Sequence, residues 1–170
     1  LELMPDAMLI FAPSFNAYRR FQAGNHAPTV PTWGYDNRTT ALRVPSGPQT
    51  ALRIEHRVAG ADANPYLVMA VMLAGILHGL ENKMEPPAAI EGNAWDMKHD
   101  TPDLPCLMNV AVEKFLNSAL IEKYLSAKQH LQLDHPNLLV RENNQALYPQ
   151  LVYRLVSTFL RTISSVEKQS

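Results

Sequence analysis

The chain has 170 residues, 46% of them hydrophobic, with a formal net charge of −1 and a pI near 6.6. That is enough for one domain with a real core, and the near balance of charge excludes a mainly electrostatic partner such as bulk nucleic acid. The single cysteine, Cys106, excludes an internal disulfide framework and a Cys-rich zinc site; no run of about 20 apolar residues is available to span a membrane, and a reducing, cytoplasmic setting is expected.

The opening "LELMPDAMLIFAPSF" has neither an initiator Met nor a basic n-region, so the chain is expected to be part of a longer protein. Residues 1–12 are apolar and predict a short helix or a strand. "APSFNAYRRFQAGNHAPTVPTWG" follows, with prolines, glycines and asparagines spread through it, and predicts an irregular loop. A loop of that length in a compact domain usually carries function. Trp33 and Tyr35 at its end are read as pocket-lining in preference to core.

Thr39–Val44 and Ala51–Val58 predict two strands of an antiparallel hairpin, with "PSGPQ" supplying the turn. "GADANPYLVMAVMLAGILHGLENK" predicts a buried helix, capped by Asn64, with Pro65 in its first position and an end near Lys83. Residues 84–104 read as a loop, 105–116 and 118–131 as two short amphipathic helices, and 146–163 as a last helix. Cys106 sits in the apolar run "LPCLMNVAV" and is read as a buried structural thiol. His78, within the long helix, is read as a satisfied core histidine, and the six histidines show no metal-ligand spacing.

The hairpin carries the most informative pattern. Alternation puts Arg53, Glu55 and Arg57 on one face of the second strand and Leu52, Ile54, His56 and Val58 on the other. Pairing about the centre of "PSGPQ" would bring Arg43 close to Arg53, with Arg38 at the mouth of the face. A solvated strand face is the commoner explanation for exposed charge. Here the cations are all arginine, the residue suited to planar recognition of phosphate and carboxylate, and like charges across a ladder repel. An anion-binding face is therefore favoured. Glu55 has two open readings, a salt bridge to its arginine neighbours or an oxygen ligand for Mg²⁺ beside phosphates.

"PSFNAYRRF", "WGYDNRTTALRVP" and "LRIEHRVAGADANPYLVMAVMLAGILHGL" together resemble the C-terminal part of the glutamine synthetase catalytic domain. The resemblance is specific over residues 10–80, weaker over 81–128, and does not extend over 129–170. It implies an α+β fold, with antiparallel strands carrying the active-site face and helices packed against it. It also implies an ATP-dependent ligase that joins ammonia or an organic amine to the γ-carboxylate of glutamate through a γ-glutamyl phosphate. Two or three divalent metals, Mg²⁺ or Mn²⁺, would assist.

By position, the resemblance gives Arg20 and Arg57 to the glutamate carboxylate. It gives Arg38 to the transferring phosphoryl group, Arg43 to phosphate, Arg53 to nucleotide and Glu55 to metal. Where ammonia-using members carry a glutamate in "G-x-E-A-P", this chain reads "GNHAP". His26 stands there and still accepts a proton near neutral pH, but it does not attract a cation. This weighs against ammonia, and "WGYDNRT" looks closer to the γ-glutamylpolyamine branch. One carboxylate does not hold two metals, so an inactive fragment of a homo-oligomeric parent is expected. The alternative is a non-catalytic relative with a structural or regulatory role. Retention of the charged positions favours the enzyme.

Overall fold

The computed structural model describes residues 1–22, 25–100 and 102–125. The helix expected at 146–163 and the far end of the helix expected at 118–131 lie outside these residues.

The first apolar segment folds as turns leading into a short helix, α1 (Met8–Phe11), with all four of its residues buried. The loop expected next contains a 3₁₀ segment, Phe15–Phe21, started by Ser14, whose Oγ accepts from the Ala17 N–H at 3.3 Å. Tyr18 and Phe21 point into the core, which leaves Arg19 and Arg20 on the outer side.

The sheet has three strands, β1 (Trp33–Tyr35), β2 (Leu42–Val44) and β3 (Glu55–His56), in that order. β2 and β3 pair antiparallel as expected, but β1 pairs parallel with β2, so the sheet is mixed. Parallel neighbours normally need a long crossover. Here Asp36–Ala41 suffices, because strands of three residues require a return path of only about 7 Å. Thr39 and Thr40 are not strand residues. Thr40, fully buried, donates to the Asn37 and Leu42 carbonyls, and Thr39 bonds the Asn37 side chain.

The hairpin register also differs from expectation. Arg43 lies opposite Glu55, not beside Arg53. Pro45 and Pro48 cannot donate to a ladder, and Gln49–Ala51 forms a 3₁₀ turn, so pairing resumes only at Glu55. Leu52 and Ile54 consequently stand exposed, at 68% and 62%, and only His56 and Val58 of the expected aliphatic face turn inward.

α2 (Pro65–Glu81) matches its expected limits. The Asn64 side chain accepts from the Tyr66 and Leu67 N–H groups at 3.0 and 3.3 Å. Asn64→Ala should lower the unfolding free energy of the chain by about 1 kcal/mol, read from urea midpoints. The helix is buried on one face only, through Leu67, Ala70, Val71, Ala74 and Leu77. Tyr66, Met69, Ile76 and Leu80 are exposed, which corrects the expectation of a buried helix.

α3 (Met108–Asn117) and α4 (Ala119–Leu125) follow the long loop as expected. The four helices share one core, in which Phe11 and Phe115 are almost wholly enclosed. His78 is satisfied, with Nδ1 3.2 Å from the Tyr124 hydroxyl and Nε2 3.5 Å from Glu2, but it stands half-buried at the edge of a surface groove and not in the core. Cys106 is exposed, two residues before α3, and is not the buried thiol expected. The run around it is apolar, but Leu104 and Met108 take the inward positions. Among the described residues no helix is long and apolar enough to cross a membrane.

Candidate active-site cleft

The back of β3 meets the helical core, where the Phe11 and His56 rings pack 4.5 Å apart. Beside the charged strand residues lies a cleft of about 730 Å³, lined by Arg19, Arg20, Asn25, His26, Glu55 and Arg57 among others. Four of the seven sequence-predicted site residues, Arg20, His26, Glu55 and Arg57, therefore share one cavity. The 3₁₀ segment, the loop after it and β3 each contribute.

Among the described residues Glu55 is the only carboxylate in that lining. It accepts from Arg43 Nη1 at 3.1 Å and lies 3.7 Å from Arg53 Nη2. The salt-bridge reading of Glu55 is thus present in the structure. Arg43 reaches further, donating through Nη2 to Asp36 at 3.0 Å. Its proton is held more tightly than usual, first through the hydrogen bond to Glu55. Asp36 has a positive φ of 47°, a conformation that Asp tolerates better than most residues. Its carboxylate also accepts from the Ser46 N–H at 2.9 Å and from the Ser46 hydroxyl.

Arg20 donates to the Val58 carbonyl at 3.3 Å. A Cβ on Gly60 would stand 3.0 Å from Arg20 Nη1 and 2.6 Å from Asp62 Oδ1, so the missing side chain leaves room for the guanidinium. Arg57 donates to the Thr40 carbonyl. Its pKa is pulled down, first by burial and also by the Arg43 and Arg38 charges, against the opposing pull of Glu55. Cationic charge around this single carboxylate is therefore in excess, which favours an anion in the cleft. Arg38 is exposed at the tip of the β1–β2 loop, and Arg53 is exposed before β3; neither lines the cavity. The arginines do not form the single row inferred from alternation.

His56 borders the same cleft but packs its ring on Phe11 of the core. Its Nδ1 accepts from the Ala59 N–H at 3.4 Å, and its buried Nε2 has no partner among the described residues. Burial pulls the imidazole down to about 4. The unfolded chain takes up this proton near pH 6.5. Between those values the unfolded state binds more protons, so stability falls as pH falls from about 6.5 to about 4. The loss is roughly 3 kcal/mol across the window. His56→Phe should flatten that acid limb in urea titrations at a series of pH values; an unchanged limb would assign it to other groups.

Several residues at the site escaped sequence reasoning. Asn37 donates to the Ile90 and Gly92 carbonyls at 3.1 and 2.8 Å. Thr39 Oγ1 accepts from the Ala94 N–H at 2.9 Å. Ile90 N–H donates to the Trp33 carbonyl and Trp33 Nε1 to the Pro87 carbonyl. Gly34 leaves space for this approach, since a Cβ there would stand 2.7 Å from the Ile90 oxygen. The loop after α2 is thus latched along β1, on both sides of Arg38. "DNRTT" held a signal for this, because Asn and Thr side chains commonly bond loop backbone. Trp33 lines a second, largely apolar groove of about 810 Å³ with Leu3, Leu42, Val44 and Ile76, while Tyr35 is 68% exposed and lines neither cavity.

Glu55 fits one ligand of a hard cation, being a half-exposed carboxylate at the edge of the cleft. Among the described residues no three His, Cys, Asp or Glu side chains converge, so any metal held at Glu55 needs further ligands from elsewhere.

The family profile for the glutamine synthetase catalytic domain matches residues 1–132. The chain is 44% identical to the γ-glutamylputrescine synthetase of Escherichia coli over 128 residues, covering 75% of this chain and 27% of that protein. It is 46% identical to the γ-glutamylethanolamide synthetase of Streptomyces coelicolor over 120 residues, covering 71% of this chain and 25% of that protein. A solved structure of ligand-free GmaS shares the fold at a TM-score of 0.59 and 21% identity, covering 94% of this chain and 34% of the other. The chain spans about a quarter of the length of the curated relatives it matches.

Proposed function

The chain belongs to the glutamine synthetase catalytic-domain family, and from that premise we propose that its parent protein is an ATP-dependent ligase. It joins an amine to the γ-carboxylate of glutamate through a γ-glutamyl phosphate. The observation that carries this reading is the cleft that gathers Arg20, His26, Glu55 and Arg57. Names of the relatives support it, since they join glutamate to putrescine and to ethanolamine.

Arg20 and Arg57, which both line the cleft, hold the glutamate carboxylate. Arg43 and Arg53 face the ATP phosphates, and Arg38, at the exposed loop tip, closes on the phosphoryl group as it transfers. Mg²⁺ or Mn²⁺, when bound, neutralises phosphate charge, and Glu55 supplies one of its ligands. Attack by the amine nitrogen on the γ-carbonyl carbon forms the C–N bond. The bond from that carbon to the phosphate oxygen breaks, phosphate leaves, and His26 accepts the proton shed by nitrogen. The parent works as a homo-oligomer in the cytoplasm.

A coupled assay of ADP release by the full-length parent, with glutamate and a panel of amines, tests the reading. Release that depends on both glutamate and one amine supports it; release that ignores both overturns it. The isolated 170 residues should form no amide, because they bring one metal carboxylate and about a quarter of the relatives' length. Amide detected by mass spectrometry from this chain alone would contradict that.

A further inference from the structure

Loop 84–104 carries one residue onto a cleft-lining side chain, His26, that neither the hairpin nor the arginine pattern announces. The Trp95 ring lies 5.9 Å from that of His26, tilted by 47°. Trp95 is 40% exposed, and His26 is exposed and lines the cleft. An indole half open to solvent beside a cavity is an available apolar and cation–π surface, not a core residue.

Trp95 is also fixed in place. Asn93 caps its turn, the Ala94 N–H donates to Thr39, and Asn37 holds the Gly92 carbonyl. His99 Nε2 lies 2.7 Å from the Ala94 carbonyl on the other side. On the cleft side, Asn25 donates to the Arg19 carbonyl at 2.6 Å and so holds the backbone next to His26. Two segments about 70 residues apart are thus each pinned where their rings meet.

The charges around this corner have a consequence for the incoming amine. Arg19, Arg20 and Arg57 are cations, and the one carboxylate among the described lining residues, Glu55, is engaged by Arg43 and Arg53. Ammonium and alkylammonium ions alike therefore meet no unengaged carboxylate among the described lining residues, so charge does not separate them. A primary amine with a carbon chain finds methylene-sized contact on the indole and a proton acceptor in the imidazole.

We infer that Trp95, packed on His26, is a specificity-determining residue that selects carbon-bearing primary amines over ammonia. The inference rests on the ligase reading above. It adds to that reading a residue and a direction of selectivity.

The test uses the full-length parent and its Trp95→Ala and Trp95→Phe variants. Initial rates are measured with ammonium and with a linear series of primary amines from methylamine to butylamine. Wild-type kcat/KM should rise along the series. Trp95→Ala should raise KM for butylamine about tenfold while KM for glutamate and ATP, and kcat/KM for ammonium, stay unchanged. Trp95→Phe should keep most of the selectivity. Equal losses for every amine, or a shift in the glutamate KM of the same size, would overturn the inference and leave Trp95 a merely structural residue. No glutamate-dependent ADP release with any amine would remove the ligase reading, and this inference with it.

Discussion

Glu55→Ala in the full-length parent should lower amide formation by roughly three orders of magnitude and remove the Mg²⁺ dependence of nucleotide binding. Glu55 is the carboxylate on which the charge pattern converges. It pairs with Arg43 at 3.1 Å and Arg53 at 3.7 Å, and among the described residues it is the one acidic group in the cleft lining. Deleting it leaves guanidinium groups facing one another and deprives a cation of its ligand, so two effects fall together. Glu55→Gln separates them. The amide keeps the shape and accepts a hydrogen bond from Arg43, but it is a poor ligand for a hard divalent ion. If metal binding is the role, Gln is as inactive as Ala, and isothermal titration of Mg²⁺ with a non-hydrolysable nucleotide shows weakened binding in both. An Mg²⁺ titration unchanged in both variants would leave Glu55 with the salt-bridge role alone.

The Glu55 neighbourhood shows where the sequence was readable. Alternation along "LRIEHR" put Glu55 and Arg57 on one face, and both line the cleft, but His56 of the opposite face lines it too and Arg53 of the same face does not. The partner of Arg43 was not readable in the same way. Register depends on how many residues the turn consumes; the 3₁₀ turn at Gln49–Ala51 took up Ala51, the first residue assigned to the strand, and pairing resumes only at Glu55. Leu52 and Ile54 were misplaced for the same reason.

α2 was legible almost to the residue, since Asn64–Pro65 is a local start signal that no distant contact has to complete. Its exposed face was not, because apolar composition gives no direction. The β1 strand was missed because three residues among prolines carry too little periodicity to detect. What the sequence hid most fully is the link between loop 84–104 and the cleft. Asn37, Thr39, Gly34 and Trp95 make it through contacts more than 50 residues apart.

Arg43→Lys is the second substitution of large effect, with an expected fall in kcat/KM of about a hundredfold. Arg43 spans two carboxylates by using separate nitrogens, Nη1 toward Glu55 and Nη2 toward Asp36 at 3.0 Å. A lysine ammonium is a single point and does not span both. Asp36 in turn holds the Ser46 backbone, so the bridge ties the end of β1, the start of the hairpin loop and β3 together. Two roles for Arg43 then give different kinetics. If it binds phosphate directly, Arg43→Lys raises KM for ATP while the Mg²⁺ titration is little changed. If it acts by aiming Glu55, the Mg²⁺ titration weakens as well. Asp36→Asn supplies the discriminating cycle, because it removes the charged partner of Nη2 without touching the cleft. When Asp36 works only through Arg43, the double variant is no worse than Arg43→Lys alone. Additive losses in kcat/KM would instead show that Asp36 serves the site independently, by fixing the hairpin loop at Ser46.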